Sequence, residues 1–451
     1  MKRIRSVVGI IVGACLAGAV FLTAPPAVAQ GGLKVIRDTE IENTIRAYLA
    51  PLFSAAGLDA DTMRVTIVND PRLNAFVTGG RRIFVHTGLL MRAESPGQVI
   101  GVLAHEIGHI TGGHLARLQE ALENATTKSI IAMVLGGAVA IASGNPAGLG
   151  AGATAGATIA QRSMLAYNRT MEQSADQTAV NLLDETGQSA QGLYDFLHIL
   201  KTQSALYTAG GNLYTSSHPL TKQRIDFVEQ HLAHSKFTNV PDRPDLMAMH
   251  RRMRGKLKGF LDPPEKTLRH YRPDDPRIEA RYARSIALSR TNEVEEALRI
   301  IDGLLTDAPD DPFRHELKGD ILREAQRVPE AIESYETAIR MLPWAALIRI
   351  HLARLQVERN DPRQTEKALE NLEQALRYER DTPIVWRIAA TAYGRLGNRG
   401  MTALALAEEA FLRNKTKIAR SNAERALKLL PEGSPGAFQA QDILSATEKL
   451  K

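Results

Sequence analysis

The sequence predicts a mostly helical α+β domain with a small sheet, followed by an all-α solenoid of helical repeats. Three observations support this fold class: short β-rich segments between residues 63 and 88, apolar residues at helical spacing over 98–122, and a 34-residue period after Pro273. Of the 451 residues, 44% are hydrophobic and 24% charged, as expected for folded domains with cores. The formal net charge of +6 is small for this length and gives no reason to expect a nucleic acid partner.

Residues 1–29 are predicted to be a signal peptide. Three basic residues among the first five precede an apolar run over 6–24, and Ala27 and Ala29 are small residues placed for signal cleavage after Ala29. The alternative is a lipoprotein signal, because Cys15 follows small residues, but Cys15 is followed by a second apolar run instead of a polar tether. We therefore expect a periplasmic protein whose mature form contains no cysteine.

The elements of the first domain follow from the pattern of apolar residues. A helix is expected over 31–58, and three β-rich runs come after it, "MRVTIVND", "LNAFVTGG" and "RRIFVHTG", of which the last two are joined by a hairpin-type turn at "TGGR". A second helix is expected over 98–122, with a break at Gly112–Gly113, and a third over 164–183.

The stretch "VIGVLAHEIGHITGGH" contains the motif that carries the chemistry. His105 and His109 lie four residues apart, so both project from one side of a helix, about one turn apart. Their ring nitrogens can reach one Zn²⁺ at about 2.0–2.1 Å, and Glu106 is placed to take a proton from water rather than to bind the metal. This HExxH arrangement predicts an α+β zincin-type metalloprotease domain with one zinc ion per chain.

The third protein ligand must come from elsewhere in the chain. His114 falls on the opposite side of a continuous helix from the first histidine, and we expect it to be a surface or capping residue. Glu172 is the best donor, because it would complete a site of two histidines and one glutamate. Asp176, on the same helix face, would hold a ligand histidine by its other ring nitrogen, and Arg169 would fix a carboxylate. Glu123 is the competing ligand, and an ordinary solvated acidic face is the alternative for the other two acids.

"HEIGH", followed some sixty residues later by "RTMEQSAD", resembles the gluzincin peptidase family that includes the CAAX prenyl protease and the heat-shock protease HtpX. "NAFVTGGRRIFVHTGLL", "SSHPLTKQRI" and "RGKLKGFLDPP" also match, and the chain is most similar to the soluble, signal-bearing branch with tetratricopeptide repeats. The resemblance implies that His105, His109 and Glu172 hold zinc. It also implies that Glu106 is the general base and that His218 is a gating residue of the catalytic site. Two alternatives stay open for His218: an oxyanion donor that turnover requires, and a loop histidine at the surface.

Residues 129–161 contain no charged side chain. Their strongly apolar part, residues 130–142, is short for a bilayer span, so we expect a helix pair that touches a membrane surface near the active site. Two alternatives stay open: a buried helix followed by a mobile loop, and a membrane-embedded hairpin.

The second part of the chain is predicted to be an all-α TPR solenoid over 264–451, behind a protease domain over 30–263. One unit has residues at the spacing of the tetratricopeptide repeat, namely Gly319, Ala331, Tyr335, Ala338 and Pro343. The next unit repeats the pattern with about three residues inserted in the turn, and two further units follow. Stacked units form a concave surface of the kind that binds protein segments.

The predicted activity is zinc-dependent cleavage of an extended, unfolded protein chain. Asn74, Ala75 and Phe76 lie in a run that can act as an edge strand and pair with substrate by β-augmentation. The resemblance implies that the clients are outer-membrane β-barrel proteins that failed to assemble, and that the repeats bind clients or the β-barrel assembly machinery. The alternative is a periplasmic chaperone or scaffold with a structural or latent zinc site, although a purely structural site has no use for Glu106.

Overall fold

The structure is a computed structural model that describes residues 33–78, 82–117, 120, 169–206 and 218–448. The predicted signal peptide, Cys15, Glu123 and the uncharged segment 129–161 lie outside the described residues, and what we expect of them stays a prediction. From Ile36 onwards the chain forms one compact unit. No helix among the described residues is long and apolar enough to cross a bilayer.

The first part of the chain combines helices with short strands, as predicted. Its elements in chain order are β1 (Val35–Ile36), α1 (Thr39–Ala55), β2 (Arg64–Val68), β3 (Ala75–Thr78), β4 (Arg82–His86), α2 (Thr87–Arg92), α3 (Pro96–Thr111), α4 (169–185), α5 (Gln191–Leu206), α6 (Lys222–His234) and α7 (Pro244–Leu261). Helix α1 begins where the Asp38 carboxylate accepts a hydrogen bond from the Ile41 amide at 2.9 Å, and it buries Ile45 and Leu49 on one face. The first predicted helix and the three β-rich runs are therefore present.

Four strands form one sheet in the order β1-β2-β4-β3. Strand β2 runs parallel to β4, and β3 runs antiparallel to β4 with Phe76 opposite Phe84. The antiparallel pair agrees with the predicted hairpin, although its turn lies outside the described residues. Strand β3 is the last in the order, so the run predicted to be an edge strand lies at an edge of the sheet.

Helix α3 is almost entirely buried and lies at the centre of the first part. Pro96 stands in its first turn, where the fixed φ of proline suits a helix start. A Cβ atom on Gly101 would lie 2.8 Å from the backbone of Leu193, so the glycine allows α5 to pack closely against α3. The helix ends at Gly112, and Gly113 with φ 61° leads into a new helical turn at 114–117, which confirms the predicted break.

The second part is a series of helices in which each helix packs on its neighbour along the chain, as expected for the 34-residue period. They are α8 (Pro264–His270), α9 (Ile278–Arg290), α10 (Val294–Asp307), α11 (Pro312–Glu324), α12 (Val328–Met341), α13 (Ala346–Glu358), α14 (Pro362–Leu376), α15 (Pro383–Arg395), α16 (Arg399–Leu412), α17 (Thr416–Leu429) and α18 (Pro435–Glu448). Ala331 and Ala338 are fully buried, and a Cβ on Gly319 would lie 2.7 Å from the Tyr335 ring. The small residues therefore let paired helices approach, as predicted.

The turns inside the helix pairs keep the predicted period. Asn292, Gln326 and Asn360 all have positive φ and lie 34 residues apart, and Gly397 follows 37 residues later. The three additional residues therefore lie after the turn at Asn360. Our prediction that they are inserted in that turn was wrong, because the turn itself keeps its place in the period.

The two parts pack against each other through α7. A Cβ on Gly255 would lie 2.5 Å from the Glu279 carbonyl oxygen, so glycine is required where α7 crosses α9. The next residue, Lys256, is fully buried, with its Nζ 2.8 Å from Asp38 Oδ2 and 3.7 Å from Glu316 Oε2. The predicted domains thus share a buried ion cluster, and the boundary between them stays a prediction.

Candidate metal centre

Helix α3 places the HExxH motif in the protein interior. His105 and Glu106 have no exposed surface, and His109 is 8% exposed. The Nε2 atoms of the two histidines lie 3.0 Å apart. One helical turn therefore brings both rings to a single point, as the spacing in the sequence predicted.

Glu172 of α4 reaches both histidines because α3 and α4 pass very close to each other. A Cβ on Gly108 would lie 2.8 Å from the Ala175 carbonyl oxygen, so only glycine permits this approach. Glu172 Oε2 lies 3.4 Å from His105 Nε2, and Oε1 lies 3.3 Å from His109 Nε2. The glutamate predicted to be the third donor therefore lies beside the first two.

His218 adds a fourth donor from the segment before α6. Its Nδ1 lies 3.0 Å from Glu172 Oε1 and 3.4 Å from His105 Nε2. Two ligands at about 2.0–2.1 Å from a tetrahedral zinc ion lie about 3.3 Å from each other, so these separations suit one ion among the donors. Within the described part of the chain, the donors grouped in this way are His105, His109, Glu172 and His218.

The hydrogen bonds behind the two α3 histidines direct their Nε2 lone pairs to the same point. His105 Nδ1 lies 2.9 Å from Asp176 Oδ1, so Nδ1 donates its proton to the carboxylate and Nε2 is an acceptor. His109 Nδ1 lies 3.0 Å from His114 Nδ1. The two Nε2 atoms lie 3.0 Å apart, a separation that suits two ring nitrogens whose lone pairs share one cation, so the donor chemistry fits a metal ion. Asp176 lies where we predicted the partner of a ligand histidine.

His114 is not the surface residue that the sequence predicted. It is only 3% exposed, and its ring lies against that of His109 with 4.9 Å between the ring centroids. The prediction assumed a continuous helix, whereas the positive φ of Gly113 turns the chain back towards α3. His114 is outside the group of four donors, and its exclusion as a ligand stays a prediction.

Arg224 of α6 joins the two acidic residues of α4, and we did not predict it. Its Nε donates to Asp176 Oδ2 at 2.6 Å, and its Nη1 lies 2.8 Å from Glu172 Oε2. It also donates to the Pro219 carbonyl oxygen at 3.3 Å. One buried guanidinium therefore connects a metal donor, its neighbour and the segment that carries His218.

The prediction that Arg169 fixes a carboxylate was wrong. Arg169 is exposed at the described start of α4, and Arg224 occupies the position that we assigned to it. The sequence does carry a signal for Arg224, because it shares the buried face of α6 with Ile225 and Val228. A charged residue on the apolar face of a helix needs a buried partner.

The carboxyl group of Glu106 is buried beside the donors. Neither of its oxygens has a hydrogen-bond partner among the described residues, and His218 Nε2 lies 3.5 Å from Oε1. Burial raises the pKa of Glu106, which makes its carboxylate a stronger proton acceptor. Burial acts in the same direction on Glu172, but hydrogen bonds from the three histidines hold the pKa of Glu172 well below its usual range. Glu172 is therefore an anion, the form in which a carboxyl group binds a metal.

The predicted substrate residues lie on β3 and just before it. Ala75 is buried, and Phe76 stacks on Phe84 with ring centroids 4.9 Å apart. The Asn74 carbonyl oxygen accepts from the His86 amide at 3.0 Å, while Asn74 Oδ1 is buried with no hydrogen-bond partner in the described part of the chain. Strand β3 packs against α3, so the sheet edge and the HExxH motif are on neighbouring elements.

Three proteins of known name are similar in sequence to this chain. The β-barrel assembly-enhancing protease of Escherichia coli K12 is 25% identical over 394 residues, which cover 84% of this chain and 77% of that protein. The same protein of Yersinia pestis is 24% identical over 358 residues, with coverages of 77% and 71%. The mitochondrial metalloendopeptidase OMA1 of Schizosaccharomyces pombe is 24% identical over 191 residues, with coverages of 42% and 52%.

A solved structure and a family model complete the comparison. The crystal structure of the APC/C hetero-tetramer Cut9-Hcn1 matches with a TM-score of 0.24 at 14% identity, over 60% of this chain and 62% of that chain. This likeness is too low to support a statement about the fold. Residues 37–232 match the model of peptidase family M48, and this range contains all four donors and Glu106. Residues 37–232 are therefore a peptidase family M48 domain, and the chain is a metalloprotease homologous to the β-barrel assembly-enhancing protease.

Proposed function

We propose that this protein is a periplasmic zinc endopeptidase that degrades unfolded or misassembled proteins, among them outer-membrane β-barrel proteins. The observation that carries the proposal is the convergence of four donor atoms beside the buried carboxyl group of Glu106, whose oxygens have no hydrogen-bond partner among the described residues. The M48 domain supports the reaction class, and the printed name of the relatives suggests the kind of client.

Zinc is the ion that best suits this donor set. Imidazole nitrogens and a carboxylate in tetrahedral arrangement are typical zinc ligands, and the group supports one ion per chain. His105, His109 and Glu172 are the proposed ligands. When bound, zinc lowers the pKa of water and polarises a substrate carbonyl.

Glu106 is the proposed general base. Its carboxylate takes a proton from the attacking water and later passes it to the amine of the leaving peptide. The pKa of Glu106, raised by burial, lets the carboxyl group keep the proton between these two steps. Asp176 and Arg224 do not touch substrate in this proposal. They hold His105 and Glu172 in place through the hydrogen bond and ion pairs described above.

His218 is the proposed gate of the site. Its Nδ1 lies among the donors and its Nε2 faces Glu106, so the ring lies between the metal position and the general base. That position is the one an attacking water needs, and the protease would be latent while His218 holds it. Pro219 follows His218, favours extended backbone at His218 and presents its side chain from the non-helical residues before α6. We therefore expect activation to move the His218 ring away from the metal position.

Substrate is proposed to bind as an added strand on β3. Among the described strands β3 lies at the edge, so one side of its backbone can pair with an extended chain. Pairing of this kind selects by conformation rather than by sequence. Asn74, Ala75 and Phe76 are the residues proposed to bind this strand. Asn74 Oδ1 offers a buried acceptor without a partner among the described residues, which a substrate amide can satisfy.

The remaining parts of the proposal concern location and recruitment. Export to the periplasm rests on the basic and apolar segments at the start of the sequence. Recruitment of clients, or of the β-barrel assembly machinery, is assigned to the helix pairs that follow α7, because stacked pairs offer an extended surface. Contact of residues 129–161 with a membrane surface stays part of the proposal.

The test compares Glu106→Gln with the unaltered chain. We expect the variant to keep about one zinc per chain and to lose cleavage of an unfolded protein, because the amide cannot accept a proton. Glu229→Gln, on the exposed side of α6, is the matched control and should cleave normally. Cleavage by Glu106→Gln at the control rate would refute the mechanism, and a chain that binds zinc but never cleaves would favour the chaperone or scaffold alternative.

A further inference from the structure

We propose that His114 is a positioning residue of the metal centre, which fixes the tautomer and orientation of His109 by accepting its Nδ1 proton. This inference rests on the proposed zinc site. It assigns a role to a side chain that is not among the four donors and that the catalytic steps do not use.

The contact between the two rings is close and enclosed. The Nδ1 atoms of His109 and His114 lie 3.0 Å apart, the ring planes are 80° apart, and His114 is 3% exposed. Water is therefore a poor substitute partner for His109 Nδ1. The separation is similar to that between His105 Nδ1 and Asp176 Oδ1, which is 2.9 Å. Each motif histidine thus has its own buried partner behind it.

The backbone after α3 is shaped to bring His114 to this place. Gly113 has φ 61°, a conformation that glycine adopts without strain. A Cβ on Gly112 would lie 2.3 Å from His114 Nε2, so a side chain at position 112 would displace the ring. Two consecutive glycines therefore turn the chain and leave room for the imidazole.

The direction of the hydrogen bond follows from what Nε2 of His109 does. A histidine that offers its Nε2 lone pair to a metal carries its proton on Nδ1, so His109 is the donor in this pair. His114 Nδ1 is then the acceptor, and the proton of His114 is on Nε2. A neutral imidazole, instead of a carboxylate, orients His109 without adding a negative charge to the site.

The experiment separates the acceptor atom from the bulk of the ring. In His114→Asn, Oδ1 is attached to Cγ where Nδ1 is attached in histidine, so an acceptor is kept. His114→Leu has a carbon at that place and no acceptor, and His114→Ala is a second variant without one. His250→Leu is the matched control, because His250 is fully buried and hydrogen-bonded to Tyr48 and the Ala93 carbonyl, away from the donors. Zinc affinity of each full chain is measured by competition with a chromophoric chelator.

We expect His114→Leu and His114→Ala to bind zinc 10- to 100-fold more weakly, as is typical when the partner of a ligand histidine is removed. His114→Asn should stay within about threefold of the unaltered chain, and His250→Leu should not change zinc affinity even if it lowers stability. Long-range ¹H–¹⁵N NMR of the zinc-loaded chain should find the His114 proton on Nε2.

Two outcomes overturn the inference while leaving the proposed zinc site intact. Equal zinc affinity of His114→Leu and the unaltered chain means that His109 needs no partner. Equal weakening in His114→Asn and His114→Leu means that ring packing, rather than the acceptor, is what matters. An unaltered chain that binds no zinc overturns the proposed function and this inference together.

Discussion

Lys256 is a buried cation between the M48 domain and the helical repeats, and its replacement by methionine tests what holds them together. Its side chain has no exposed surface, and its Nζ lies 2.8 Å from Asp38 Oδ2, 3.4 Å from Glu40 Oε2 and 3.7 Å from Glu316 Oε2. Burial acts to lower the pKa of Lys256, but the three carboxylates hold it well above its usual range, so the residue is charged.

Lys256→Met keeps the length of the side chain and removes the charge from a cluster of buried acids. Breaking a buried ion pair on one side costs about 3–5 kcal/mol, since the remaining charges stay desolvated without their partner. We expect the free energy of unfolding to fall by this amount, as measured by urea denaturation of the full chain. The slope of that free energy against urea concentration should not change.

The matched control is Lys266→Met on the protein surface. Lys266 Nζ lies 2.9 Å from Asp262 Oδ1, but 62% of the side chain is exposed, so this ion pair is screened by water. The control should lose less than about 0.5 kcal/mol. If Lys256→Met loses no more than this control, the buried cluster does not hold the two parts together and the reasoning fails.

Four further predictions concern the same cluster and the metal centre. Burial raises the pKa of Glu316 from 4.5 to about 8, so its contribution to stability is complete below pH 4.5 and is lost as the pH rises through 8. The urea midpoint of the unaltered chain should therefore fall between pH 5 and 8.5, and Glu316→Gln should flatten that fall. Glu172→Ala should deplete bound zinc and Glu123→Ala should retain it, as measured by metal content; the reverse result would reassign the ligand. Arg224→Met should weaken zinc binding at least tenfold in chelator competition, since it removes the guanidinium shared by two site carboxylates, and unchanged affinity would contradict its role. A chain that ends at Pro263 should retain zinc but unfold at lower urea concentration, because it exposes the face of α7 that packs on α9; equal stability would make that contact unimportant.

The sequence predicts those features that depend on short distances along the chain. The phase of His105 and His109 follows from four residues of helix, and the edge run of β3 follows from its alternation and its turn. The helix pairs follow from a repeated spacing of small residues. In each of these cases the determining interactions are local, so one sequence is sufficient to predict them.

Contacts between distant segments were predicted where one partner carried an unusual pattern, or, for His218, where the family resemblance implied the contact. Glu172 and Asp176 share a helix face, and that pairing was enough to place both beside the histidines. Arg224 is 48 residues after Asp176, and nothing in the spacing relates the two. What identifies Arg224 is a physical inconsistency, a permanent charge on a face otherwise made of Ile225 and Val228. A buried arginine of this kind predicts the existence of a buried acid but not its position in the chain.

His114 shows where helix-phase reasoning ends. Rotation by 100° per residue holds only while the backbone keeps helical angles, and Gly113 leaves them with φ 61°. The sequence indicates this departure, because two adjacent glycines interrupt a helix far more readily than they continue one. We predicted the break and still calculated the position of His114 as if the helix continued. A residue beyond a predicted break has no fixed phase relative to the helix before it, so its exclusion from one face is not evidence that it lies at the surface.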